Sequence, residues 1–393
     1  MKNIDCKDIP LKDKRVLIRL DLNVPLKNNK ITDANRIDKI IPTLNFLIEK
    51  QAKIIIISHI GRPKGKYVKD LSLNPVCKDL EKKLNQKIKL ITKDINKIKS
   101  DELFINPDER IIMLENLRFY EDEESNNEKF AKHLASFADI YVNDAFSCSH
   151  RKHASVFQIT KYINAYAGLQ LKAEKNALDK IIKNIEKPIT CIIGGSKISS
   201  KINVIKNLIT KFDNLIIVGG MANNILKYKK YPIGKSVNEK NCDHIIEEIF
   251  NLSNKEKCKI LFPIDVATGL SFNGSSIIKN LDQVDDNDII LDIGPKTIKL
   301  IEKVIDESKT ILWNGPVGYF ENKNFKNGSF KLAKKIADKT KENKIYAVAG
   351  GGDTVALLND LKLIKNFNFV STAGGAFLEF LEGKDLPGIK ALG

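Results

Sequence analysis

Two sets of residues in this 393-residue chain have types and spacings suited to the chemistry of anions. The first set lies in the first half, where short aliphatic runs are each followed by polar residues of one kind. Asp21, Asn23 and Pro25 follow the first run, and Ser58, His59, Gly61 and Arg62 the second. Glu115, Asn116 and Arg118 follow the third, and Asn143, Asp144, His150 and Arg151 the fourth. Arginine's planar fork recognises carboxylate and phosphate bidentately, so this set suits a small polyanion. The second set is glycine-rich: Gly194-Gly195-Ser196-Lys197, Gly219-Gly220, Trp313-Asn314-Gly315-Pro316, Gly350-Gly351-Gly352-Asp353-Thr354 and Ala373-Gly374-Gly375. Glycines let backbone N–H groups approach phosphate, and a following helix N-terminus favours the anion. With Lys197 and Lys201 as point charges and Asp353 for a cation, this set suits a nucleotide with a metal. A phosphoryl group passing between two such ligands must be kept from water, which predicts a hinge-bending cleft.

Each motif alone is weak. Gly234-Lys235-Ser236 imitates a phosphate-binding loop, but Lys229 stands where that pattern needs glycine. The run from Gly350 is no dinucleotide fingerprint either, because Val355 occupies the last glycine place. The force lies in recurrence, with the same feature after strand upon strand.

The elements that must carry these loops are legible as alternation. Strand-like runs occur at 16–20, 53–57, 110–114, 140–142, 189–193, 214–218, 259–262, 310–313, 345–349 and 368–370. Helical patterns lie between them, as at 35–49, 326–340 and from Asn127 onward, where Ser125 and Glu128 have capping-box spacing. Strands alternating with helices predict an α/β fold with two doubly wound parallel sheets, and ligands beyond the carboxyl ends of the strands. Residues 168–186 read as one long helix joining two halves.

Lys plus Arg number 65 against 49 Asp plus Glu, a formal charge of +16. The lysines are scattered among acidic residues, with no basic tract and only 7% aromatics, which weighs against a nucleic-acid-binding module. The six cysteines form no C-x-x-C pair, and the Cys148, His150, His153 group lacks further ligands, so reduced structural thiols are expected. No aliphatic run approaches the ~18–20 residues of a membrane span, and no secretory h-region is visible. A cytoplasmic protein is expected.

Taken in chain order, the motifs resemble the phosphoglycerate kinase family from end to end. They are RVLIRLDLNVP (15–25), SHIGRPKG (58–65), LENLRFYEDEE (114–124), YVNDAFSCSHRKHAS (141–155), GGSKISSK (194–201), LDIGPKT (291–297), WNGPVGYFE (313–321), GGGDT (350–354) and LPGIKAL (386–392). The resemblance implies two Rossmann-like domains: 1–167 for 3-phosphoglycerate, with the tail 371–393 returning to it, a helix over 168–187, and 188–370 for the nucleotide. It implies reversible phosphoryl transfer between 1,3-bisphosphoglycerate and ADP, giving 3-phosphoglycerate and ATP, with Mg2+, in a monomer. Another carboxyl-group phosphotransferase on a different small acid is the alternative enzyme.

Carried over by position, the acid site would be Asp21, Asn23, Arg36, His59, Arg62, Arg118 and Arg151, with Arg36 at the reacting carboxyl. Lys197 and Lys201 would meet the phosphates, Glu321 the ribose, and Gly351, Gly352 and Thr354 the phosphate end, with Asp353 as magnesium ligand. Gly219, Gly220, Asn314 and Pro316 would line the adenine and sugar pocket, and Gly374 would aid transfer. The chain departs from the family at Leu22, Val218, Ile290, Ala373 and Phe377. An alanine at 373 would cost ~1–2 kcal/mol if the position needs positive φ.

Overall fold

The computed structural model describes residues 1–183 and 186–393. They form two compact units, Met1–Asn176 with Asp385–Gly393, and Ala177–Lys384. The first unit holds a six-stranded parallel sheet in the order Lys89–Ile91, Ile111–Leu114, Lys53–Ile57, Arg15–Leu20, Ile140–Asp144, Asn164–Ala167. Its central strands are largely apolar and almost wholly buried because helices cover both faces. Side chains alternate between those faces with period two. Val16, Ile18, Ile54, Ile56 and Val142 pack with Ile40 and Leu44 of helix Asn35–Glu49 and Leu80 of helix Asn74–Leu84. Leu17, Ile55, Ile57 and Tyr141 pack on the other side with Phe130 and Leu134 of helix Glu128–Ala135.

The second unit's parallel sheet runs Lys259–Leu261, Asn214–Ile217, Ile189–Ile193, Thr310–Asn314, Tyr346–Gly350, Phe369–Ser371. In chain order this is 3-2-1-4-5-6, the order of doubly wound nucleotide-binding folds. Ile192, Ile311 and Trp313 meet Ile298 and Ile301 of helix Pro295–Glu307 and Leu332 and Ile336 of helix Asn327–Lys341. An antiparallel sheet of Ile277–Asn280, Asp265–Gly269 and Ile289–Ile293 is added to this unit.

The parallel α/β expectation holds, with local corrections. Asn127, not Ser125, caps the helix from Glu128, its side chain accepting from the Phe130 N–H at 3.1 Å. The connecting helix spans Leu169–Ile182 rather than 168–186. Asn184 and Ile185, part of that expected range, lie outside the described residues. The units divide at 176/177 and 384/385, not at the expected 167, 187 and 370. The connecting helix is shared between the two units, and helix Gly375–Leu381 packs on helix Ile202–Ile209. There Asn207 Nδ2 donates to Leu381 O at 2.6 Å. Only Asp385–Gly393 belongs with the first unit, where Gly388 N–H donates to Ser149 O at 2.8 Å.

Candidate active site

A 3-2-1-4-5-6 sheet has its switch point between its first and fourth strands, where neighbouring connections leave in opposite directions and open a crevice. Here those strands are Ile189–Ile193 and Thr310–Asn314, ending in Gly194-Gly195 and Gly315-Pro316. A cavity of about 490 Å³ lies at this point. Lys197, Lys201, Gly219, Gly220, Asn314, Pro316, Glu321, Gly351, Gly352, Asp353 and Thr354 all line it. Gly374 does not; it precedes helix Gly375–Leu381 with φ 55°.

Two helices begin at the cavity wall, Gly220–Tyr228 and Gly352–Asp360. Each is preceded by a glycine in the left-handed region, Gly219 at φ 68° and Gly351 at φ 97°. A Cβ on Gly351 would meet Asn314 Nδ2, so the turn needs glycine twice over. Asn314 joins the strand ends: its Nδ2 donates to Gly350 O at 2.8 Å, and its Oδ1 accepts from Lys201 Nζ at 2.8 Å. Thr354 Oγ1 accepts from the Gly315 N–H at 2.7 Å. Lys201 Nζ also donates to Gly194 O at 2.5 Å. Burial pushes the Lys201 ammonium down to about 8, with Cys191 and Asp353 opposing.

Three other charged residues of the cavity, Lys197, Glu321 and Asp353, are open to solvent. Lys197 and Glu321 are exposed, and neither side chain makes a hydrogen bond or ion pair among the described residues. Asp353 is exposed in the first turn of its helix. Mg2+ typically takes one or two carboxylates and fills its remaining positions with water and substrate phosphates. Asp353, an open carboxylate in the first turn of a helix that begins at the cavity, fits that requirement.

In the first unit, the candidates stand at the carboxyl ends of the central strands. Arg36 Nη1 donates to Asp21 Oδ1 at 2.8 Å, both on the path from strand Arg15–Leu20 into helix Asn35–Glu49. Asn23 Oδ1 accepts from the Gly61 N–H at 2.9 Å, and Arg118 Nη1 donates to Gly61 O at 2.9 Å. Asn116 sets the Arg118 turn, its Oδ1 accepting from Arg118 N–H at 3.1 Å. Arg151 Nε donates to His150 Nε2 at 3.0 Å. Arg62 is exposed, with no hydrogen bond or ion pair among the described residues. His59 is buried, its Nδ1 2.7 Å from Arg19 Nη2.

Arg19 is the residue that sequence reasoning missed. It is wholly buried and also bonds to Ser58 and Ser155, and Ser155 in turn bonds to the buried Glu123. The signal was present: an arginine inside the aliphatic run RVLIRL must find polar partners when its strand is buried.

The family model for phosphoglycerate kinase matches residues 6–384. The chain belongs to the phosphoglycerate kinase family. It is 44% identical to the phosphoglycerate kinase of Wolbachia sp. subsp. Brugia malayi over 395 aligned positions, covering 100% of this chain and 99% of that one. It is 44% identical to that of Dictyoglomus turgidum, covering 99% and 98%. The solved phosphoglycerate kinase from Coxiella burnetii superposes with a TM-score of 0.88 at 41% identity, covering 98% of this chain and 97% of that one. That from Pyrococcus horikoshii OT3 gives 0.85 at 26%, covering 100% and 98%.

The departures from the phosphoglycerate kinase pattern are accommodated locally. Ala373 is not among the residues of positive φ, so the cost foreseen for an alanine there does not arise. Phe377 is buried against Gly350, where a Cβ would collide with its ring. Val218 and Leu22 are buried in the two cores. Ile290 lines the cavity, and its N–H donates to Ser236 Oγ at 2.8 Å.

Proposed function

We propose that this chain transfers a phosphoryl group reversibly between 1,3-bisphosphoglycerate and ADP, giving 3-phosphoglycerate and ATP. The first unit binds the acid and the second the nucleotide. The observation that carries this reading is the cavity at the second sheet's switch point, where the glycine loops, Lys197, Lys201 and Asp353 converge.

The acceptor is a carboxylate with a pKa near ~4, ionised at neutral pH, so no general base is required. What the protein must supply is in-line positioning and neutralisation of a loose phosphoryl group. Arg36, whose Nη1 donates to Asp21, neutralises the reacting carboxyl and the group in transit. Arg62, Arg118 and Arg151 hold the far phosphate of the acid, while Asp21 and Asn23 take its hydroxyl region. Lys197 and Lys201 hold the nucleotide phosphates, the two helix N-termini add N–H donors, and Glu321 takes the ribose. Gly219, Gly220, Asn314 and Pro316 line the base and sugar pocket. Gly374 offers a backbone N–H at the head of its short helix. Mg2+ on Asp353 would neutralise phosphate charge when bound. The enzyme acts as a cytoplasmic monomer; among the described residues no helix is long and apolar enough to cross a membrane.

ATP formation from 1,3-bisphosphoglycerate, ADP and Mg2+ tests the proposal. Turnover abolished by EDTA and restored by Mg2+ is expected, with 3-phosphoglycerate preferred over other short phosphorylated acids in reverse. No turnover, or equal use of unrelated acids, would refute it.

A further inference from the structure

Among the described residues, no carboxylate makes a direct hydrogen bond or ion pair with the buried cation Arg19. Its Nε donates to Ser155 Oγ at 3.1 Å. Its Nη1 donates to Leu20 O at 2.5 Å and Ser58 Oγ at 3.2 Å. Its Nη2 lies 2.7 Å from His59 Nδ1 and 3.7 Å from Cys148 Sγ. The nearest acid in this network is one hydroxyl away. Glu123 Oε1 accepts from Ser155 Oγ at 2.6 Å, and its Oε2 accepts from the Ser155 N–H at 3.0 Å. Ser155 therefore links the guanidinium to the carboxyl group and fixes the plane of the fork.

That fork dictates the state of the histidine. A guanidinium has five N–H donors, no acceptor, and keeps its proton at any pH a protein withstands. The His59 Nδ1 facing it must carry a lone pair. An imidazolium has hydrogen on both ring nitrogens and would set two hydrogens against each other in that contact. The neutral ring then holds its hydrogen on Nε2. That atom makes no hydrogen bond among the described residues, and it is not one of the buried polar atoms left without a partner.

We propose that Arg19 is a positioning residue that locks His59 as the neutral Nε2–H tautomer, so that His59 offers the anionic substrate a directed hydrogen-bond donor and no charge. The second half of this statement rests on the acid-site reading above; the tautomer does not. The charge of the site is then left to its arginines, and His59 contributes geometry. The surroundings act in the same sense. Burial first, then Arg19, Arg118, His153 and Arg36, hold the ring's pKa well below the ordinary histidine value, and the Cys148 thiol stands 4.0 Å from Nδ1.

The test is long-range 1H–15N spectroscopy of the full chain labelled at its five histidines. The His59 signals are assigned by their loss in His59→Gln. We expect an unprotonated Nδ1 and a protonated Nε2, with neither moving between about pH 5.5 and 8, where an ordinary histidine titrates. Adding 3-phosphoglycerate should shift Nε2. Arg19→Lys, which keeps a donor, should retain the pattern, and Arg19→Met should release it into mixed or titrating tautomers. Should Arg19→Met not fold, the parent spectrum alone decides. An Nδ1–H ring, or one that titrates in this window, overturns the lock even if 3-phosphoglycerate still moves it. A locked ring unmoved by saturating 3-phosphoglycerate overturns the donor role, and the ATP-formation assay then shows whether the wider reading falls with it.

Discussion

An ammonium partly withdrawn from water beside two neutral oxygen acceptors loses its proton more easily than one in solvent, and Lys201 is in this position. With its pKa pushed down to about 8, it is largely neutral above that pH while the site is empty. A nucleotide phosphate restores the preference for the ammonium, so binding near pH 8 takes up a proton. Calorimetric titration with ADP at that pH should give an enthalpy that depends on buffer ionisation in the sense of proton uptake. Lys201→Arg should remove the dependence, because arginine does not titrate there. Lys201→Ala should weaken ADP by roughly 10- to 100-fold, in keeping with the ~1.5–3 kcal/mol of a hydrogen bond to a charged group. A buffer-independent enthalpy in the parent protein would contradict the assignment. Lys201 and Asp353 could be named from the sequence because each lies in a glycine-rich motif after a strand, whereas Arg36, inside helix Asn35–Glu49, could be named only through the family resemblance. Arg19 was not, because its role depends on burial and on Ser58, Ser155 and His59, which only folding brings to it.

Asp292 shows how one side chain holds elements in place around the cavity. Its carboxylate accepts the Ile293 N–H at 2.9 Å and the Gly328 N–H at 2.8 Å, tying strand Ile289–Ile293 to the start of helix Asn327–Lys341. A Cβ on Gly318 or Gly328 would run into this carboxylate. Gly328→Ala should therefore destabilise the second unit, by about 1–3 kcal/mol for an overpacked core position, read by urea denaturation. Unchanged stability would refute the close approach. Burial pushes the Asp292 carboxyl up to about 7, with the two N–H donors opposing. Since the folded value lies above the unfolded one, the protonated form's stability is complete at acid pH and is lost as pH rises through about 7. Between about pH 4 and 8, Asp292→Asn should gain on the parent by on the order of a few kcal/mol, at ~1.4 kcal/mol per pKa unit. Parallel stability curves would rule this out. The central strands of the two parallel sheets were readable as apolar runs, whereas Asp265–Gly269, central in the antiparallel sheet, was not. The edge strands Lys89–Ile91 and Asn164–Ala167 were not, being short and half exposed, and neither was Ile277–Asn280, whose isoleucines face solvent.

At the scale of the whole molecule, the division into two units predicts that each ligand acts on its own unit. Hydrogen exchange should slow around residues 21–23, 59–62 and 118 with 3-phosphoglycerate. With ADP it should slow around 194–201, 219–220 and 351–354. Protection in the opposite units would overturn the assignment of ligands to units. The formal charge of +16 adds a general attraction for polyanions. It should fade as salt shortens the screening length from ~10 Å at 0.1 M. Two sheets and a connecting helix were readable from alternation and motif order. The unit edges were not, because residues 371–384 stay with the second unit through packing on helix Ile202–Ile209 and at Gly350, contacts that leave no mark in local sequence.

The central claim is that a carboxylate acceptor is phosphorylated with Arg36 neutralising the group in transit. Steady-state ATP formation by Arg36→Ala tests it most directly. The loss of such a guanidinium should lower kcat by at least ~100-fold, while the calorimetric Kd for ADP changes by less than about threefold. A kcat close to that of the parent enzyme would contradict the account.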